Sequence, residues 1–76
     1  MQQFQVSVYH YEVGASRARC FTTTLVSRRT RQQAVSVARD LCRDARASGC
    51  RSVHYEILPY SPLFGVHGDP LIRFRG

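Results

Sequence analysis

Polar and apolar residues alternate from Gln3 to Val13, with Phe4, Val6 and Val8 on one side and Gln5, Ser7, Tyr9 and Tyr11 on the other. A period of two carried by β-branched and aromatic side chains predicts a half-buried strand. Gly14-Ala15-Ser16 breaks the pattern as a short hairpin loop does. The stretch from Arg19 to Ser27 is rich in Thr, Val and Phe and predicts a second strand. Its inward face is expected to be Phe21, Thr23 and Leu25, with Cys20, Thr22, Thr24 and Val26 as the alternative.

The period then changes. Thr30 followed three residues later by Gln33 fits a capping box, in which the hydroxyl accepts from an early helix amide and the amide side chain reaches back. Ala34, Ala38, Leu41 and Ala45, joined by Val35 and Cys42, fall at spacings of three and four and form one apolar stripe. Gly49 stands where a left-handed residue would close the helix, and Cys50 would pack back near Ala45. A helix from Arg31 to Ala47 is about 25 Å long, close to the length of an eight-residue strand, so it can lie across a sheet without overhang.

Alternation returns from Arg51 to Leu58, with Val53, Tyr55 and Ile57 facing one way and His54 and Glu56 the other. Pro59 lacks a ladder donor and is expected to end this third strand. Pro62, Gly65, Gly68 and Asp69-Pro70 give turn chemistry between Tyr60 and Pro70, and Leu71 to Arg75 supplies a short fourth strand. The order is β-β-α-β-β. A right-handed crossover over the helix sets strand three beside strand one. The expectation is an α+β fold, one domain over residues 1–76, with a four-stranded antiparallel sheet ordered 2-1-3-4 and one helix on one face.

Length limits what such a domain does. A chain of 76 residues buries only about 60% of its unfolded surface and has little left for a deep, water-excluding pocket. No apolar run approaches the roughly 20 residues that span a bilayer, and Met1 to Val8 alternates without the positive region of a secretory leader. Cys20, Cys42 and Cys50 are odd in number and scattered, unlike a disulfide framework or a zinc site. A cytoplasmic location with reduced thiols, and no cofactor or metal, is expected. His10, His54 and His67 do not change this, since their spacing with the cysteines matches no standard site.

Charge changes the picture more. The net charge is +6, and all eleven basic residues are arginine. A guanidinium suits phosphate or carboxylate better than a point-charge ammonium, although a G+C-rich genome also enriches arginine. Either way, the domain attracts polyanions or acidic surfaces at long range.

Two surfaces are candidates for binding a partner. Gln32, Ser36, Arg39, Arg43 and Arg46 share the helix face opposite the apolar stripe, and Arg28, Arg29 and Arg31 gather at the helix start. The macrodipole disfavours cations there, so stability alone would place them at the other end. The bland reading is a solvated face screened by Asp40 and Asp44, with Asp40 and Arg43 as an i,i+3 pair. The second candidate is the open sheet face, where Tyr9 and Tyr11 would stand near His54 with Arg73 or Arg75 on the next strand, as in proteins that stack single strands. Its bland reading is tyrosine cover or face-to-face dimerisation. Gly65-Val66-His67-Gly68 matches the GxxG of KH domains, but prolines flank it instead of helices. The carboxylates Glu12, Asp40, Asp44, Glu56 and Asp69 form no convergent set, and His54 with Glu56 reads as well as a strand-face pair. No enzyme is expected.

The strand pair, the capped helix at TRQQAVSVARDLC and the following VHYEIL strand resemble the layout of small phage-encoded anti-CRISPR proteins of ββαββ form. The resemblance covers most of the chain as topology and carries no diagnostic motif or functional residue. It implies an inhibitor of a type I surveillance complex. Many such inhibitors are acidic mimics of DNA, whereas this chain is basic, so docking onto an acidic protein surface or the complex's own nucleic acid would be required. The expected function is thus a phage or mobile-element binding protein for a nucleic acid or nucleoprotein complex. The alternative is a homodimeric interaction module whose charge serves solubility alone.

Overall fold

A computed structural model describes residues 2–11 and 19–75, with side chains through Arg73. Strands β1 (Gln2–Tyr11) and β2 (Arg19–Arg28) precede α1 (Arg31–Ala47), which is followed by β3 (Arg51–Ser61), β4 (Gly65–Val66) and β5 (Ile72–Arg75). The sheet runs β2-β1-β3-β4, with β5 also on the outer side of β3, and every pairing is antiparallel. This is the β-β-α-β-β layout and order expected from the sequence. The fourth place beside β3 is shared by two short strands, β4 opposite Tyr60 and Ser61 and β5 opposite Tyr55 and Ile57. The loop at Gly14-Ala15-Ser16 and the end of the first strand at Glu12 and Val13 lie outside the described residues.

The helix forms where its local signals put it. Thr30 Oγ1 accepts from the Gln33 N–H at 3.2 Å, and Gln33 Oε1 accepts in return from the Arg29 N–H at 2.9 Å, one residue before the cap. At the other end Gly49 takes φ +94°, the Cys50 N–H donates to the Ala45 carbonyl, and the Gly49 N–H donates to the Arg46 carbonyl, both at 3.0 Å. These two bonds are the Schellman closure of a helix.

Phe4, Val6 and Val8 from β1, Val53, Tyr55 and Ile57 from β3, and Ala34, Ala38, Cys42 and Ala45 from α1 make the core. The alanines let the helix backbone come close to the sheet, and Val35 and Leu41 pack at the stripe's margins. Each large side chain buried there contributes roughly 1.5–3 kcal/mol.

Three expectations are corrected. First, β2 turns the other face inward: Val26 is buried and Thr22 and Thr24 are half-buried, while Phe21, Thr23 and Leu25 are exposed. The cause is pairing, because Val26, Thr24 and Thr22 stand opposite Phe4, Val6 and Val8 and must share their face. The register then slips, since Val8 faces Thr22 but Tyr9 faces Cys20, leaving Phe21 as an extra residue in a β-bulge. The bulge returns Cys20 to the open face, where its Sγ lies 3.2 Å from Thr23 Oγ1.

Second, β3 passes through Pro59 and ends only at Ser61. The carbonyl of Pro59 points away from β1 and accepts from the His67 N–H at 3.2 Å. In an antiparallel strand N–H and C=O of one residue face the same side, so the missing donor costs the β1 ladder nothing. Third, the last strand starts at Ile72, one residue later than Leu71, whose N–H bonds the Ile57 carbonyl at 2.8 Å.

A second bulge sets Val53 and Ser52 opposite His10, and Ser52 takes φ +52°. The result is a two-layer slab of 38 × 21 × 15 Å.

Candidate functional site

The first turns of α1 run beside the start of β5. Between them lies an open groove of about 490 Å³, with Arg31, Gln32, Ser36 and Arg39 on the helix side and Leu71 and Ile72 on the strand side. The crossover topology makes this groove, because it lays the helix over the sheet while the chain's last strand returns along the outside of β3. Ser36 donates to the Gln32 carbonyl at 3.4 Å, which leaves its lone pairs toward solvent. Arg31 and Arg39 are eight residues apart, about 12 Å along the axis. Among the described residues, the side chains of Arg29, Arg31 and Arg39 make no hydrogen bond or ion pair. The first-turn amides add the positive end of the helix dipole, and no acidic residue occupies that turn.

The remaining predicted arginines divide. Arg28 turns its guanidinium to the Ser27 carbonyl at 2.7 Å. Arg43 pairs with Asp40 at 3.2 Å, as the spacing suggests, but both groups are exposed and the pair is worth under about 1 kcal/mol. Arg46 is different. Its side chain is exposed, yet its Nη2 donates to the Val53 carbonyl at 3.3 Å and so ties the helix end to β3.

The open sheet face is less available than the alternation suggests. Tyr9 stands opposite His54, and the Tyr11 ring meets His54 edge-on with centroids 5.3 Å apart. Arg73 approaches Glu56 at 3.8 Å, and Glu56 is only 8% exposed. Ser7, also buried, shares a hydrogen bond of 3.1 Å with Thr23. Arg75 aligns with Tyr55 by register, and its side chain lies outside those described. The rings and charges of this face are mostly turned to one another.

Burial pushes the Cys42 thiol above its ordinary value, and Arg46 partly opposes this. Among the described residues, no three His, Cys, Asp or Glu side chains converge as a metal would require, and no helix is long and apolar enough to cross a membrane. Sequence reasoning found Arg31, Gln32, Ser36 and Arg39 but missed Leu71 and Ile72 as the facing wall. No local signal carries that, since β5 reaches the helix only through its pairing with β3.

Fold and site together define a small α+β domain with a basic groove along one side of its helix. Compared with known proteins, the chain matches no family model, no curated protein and no solved structure.

Proposed function

We propose that this is a non-enzymatic binding protein that engages a nucleic acid or nucleoprotein complex through the Arg31–Arg39 groove, with Arg28 and Arg29 extending the charge at the helix start. One observation carries the reading: two arginines without an intramolecular partner line the same polar groove, which begins at the positive end of a helix. Guanidinium groups spaced along a groove with Gln and Ser donors between them suit a phosphate backbone. A phage-encoded inhibitor of a type I surveillance complex, acting in the cytoplasm, is the narrower form of the proposal and rests on layout and size alone.

The test is binding measured against salt. Arg31→Glu with Arg39→Glu should weaken binding to a labelled single strand at least about tenfold and flatten the salt slope by roughly 0.7 per lost contact. The melting temperature should stay nearly constant. Arg46→Glu should do the reverse, lowering the melting temperature because its anchor on Val53 is lost. Unchanged affinity in the groove variant would remove the proposal, and a protein target would show as nuclease-resistant capture with little salt dependence.

A second reading has one observation in its favour. The ten-residue β2 is an edge strand, and it carries Leu25, 52% exposed, on the open face. A homodimer through that edge or face would appear in light scattering as a doubled mass that Leu25→Lys reduces to a monomer.

A further inference from the structure

Among the described residues, the largest apolar exposure lies outside the groove. After β3 the chain turns through Pro62, Leu63 and Phe64, and Leu63 is 86% and Phe64 79% exposed. The turn is held open by its own chemistry. Ser61 pairs with Gly65 across its base, Gly65 takes φ +70°, and the Leu63 N–H donates to Ser61 Oγ at 3.2 Å.

Its position relates it to the arginines. Gln2 pairs with Arg28 and Gln3 with Tyr60, so β2 and β3 finish at the same end of the sheet. The turn at 62–64 and the run Arg28, Arg29 and Arg31 therefore leave the molecule from one end. A second open groove, of about 660 Å³, lies there and includes Pro62, His67 and Leu71 in its lining. Leu71 lines both grooves. The two grooves meet at Leu71, which gives a path from Arg39 and Arg31 in the first to Pro62, at the base of the turn, in the second.

We propose that the turn is a stacking finger for single-stranded nucleic acid. The strand's phosphates lie along the path against Arg39 and Arg31, a base at its end stacks on the Phe64 ring, and Leu63 covers the base edge. The inference rests on the groove reading and extends it, since a cationic track joined to an aromatic platform is how single strands are held without sequence preference. A single strand fits this surface better than three other occupants. A duplex keeps its base faces stacked inside and offers Phe64 no surface. A second copy would bring two basic ends of a +6 chain together. A flat bilayer touched by the tip leaves Arg39 about 12 Å back along the helix from Arg31, whereas a strand lying in the groove reaches both.

The experiment uses the whole chain, a labelled oligo-dT strand carrying one 2-aminopurine, a duplex of equal length and phosphatidylserine-containing vesicles. Phe64→Ala should lower affinity for the single strand roughly tenfold, abolish the 2-aminopurine signal and leave the salt slope unchanged. Phe64→Trp should retain binding. At this exposure neither change should move the melting temperature, which circular dichroism checks. If Phe64→Ala binds like the wild type while Arg31→Glu with Arg39→Glu does not, the finger is overturned and the groove stands. Absence of wild-type binding to both nucleic acids at low salt overturns both readings. Phe64-dependent vesicle binding, or a Phe64-dependent dimer in light scattering, without Phe64-dependent strand binding, also overturns the finger.

Discussion

Cys42 shows how a single side chain takes its chemistry from its position. It lies on the buried stripe of α1 at 1% exposure, and loss of hydration raises its thiol pKa despite the nearby Arg46 charge. The folded state therefore holds the proton where the unfolded chain releases it. With the folded pKa above the unfolded one, this stabilisation is complete below pH about 8.5 and is lost as pH rises through the folded value. The melting temperature should decline on the alkaline side, and Cys42→Ala should remove part of that decline; a parallel decline in the variant would assign it to other groups. At neutral pH a maleimide should label the exposed Cys20 quickly and Cys42 only on unfolding.

Among the elements, β3 is the most constrained, since it pairs with β1 on one side and with β4 and β5 on the other. Ser52 bears the cost of its bulge, holding φ +52° inside a strand. A reading by strand propensity favours a β-branched residue there. The backbone does the opposite, because a left-handed conformation crowds Cβ against the following carbonyl by about 1–2 kcal/mol, more for a branched side chain. Ser52 already bears that cost, so Ser52→Val should lower stability further through its second branch, and Ser52→Gly should offset the crowding, by up to about 1–2 kcal/mol before glycine's entropy is counted; denaturant midpoints for the pair measure it. The two bulges flank Tyr9–Tyr11 from either side, while β1 itself stays regular.

For the whole molecule, thickness sets the energetics. A slab 15 Å through has one layer of core, and among the described residues Phe4 is its largest fully buried side chain. A chain of this length has total stability on the order of 4–11 kcal/mol, and removing a buried phenyl ring costs about 3–5 kcal/mol. Phe4→Ala should leave a substantial unfolded population at moderate temperature, visible as a broadened, early thermal transition. A wild-type-like transition would mean that the sheet end can close over the gap. The same thinness leaves binding to surfaces, which is where the unpaired arginines and the Leu63–Phe64 turn lie.

The amino-acid sequence determined the helix from Arg31 to Ala47 and the long strands, because caps and hydrophobic period act between residues a few positions apart, and the handedness of the crossover then set their order. Gly65–Val66, read as turn, became strand β4 only by pairing with Tyr60 and Ser61. The groove-lining side chains Gln32, Ser36 and Arg39 were legible for the same reason, since helical spacing puts them on one face, and Arg31 was legible as part of the charge at the helix start. Tertiary structure decided what depends on a distant partner. Opposite Phe4, Val26 and not Leu25 had to face inward, and a bulge at Phe21 reset Cys20. Whether Pro59 broke a strand hung on which edge its absent N–H faced, and whether Arg46 was free hung on the Val53 carbonyl. Leu71 and Ile72 became a groove wall, and the 62–64 turn came to the same end of the sheet as the helix start, only when β5 and β3 took their places in the sheet.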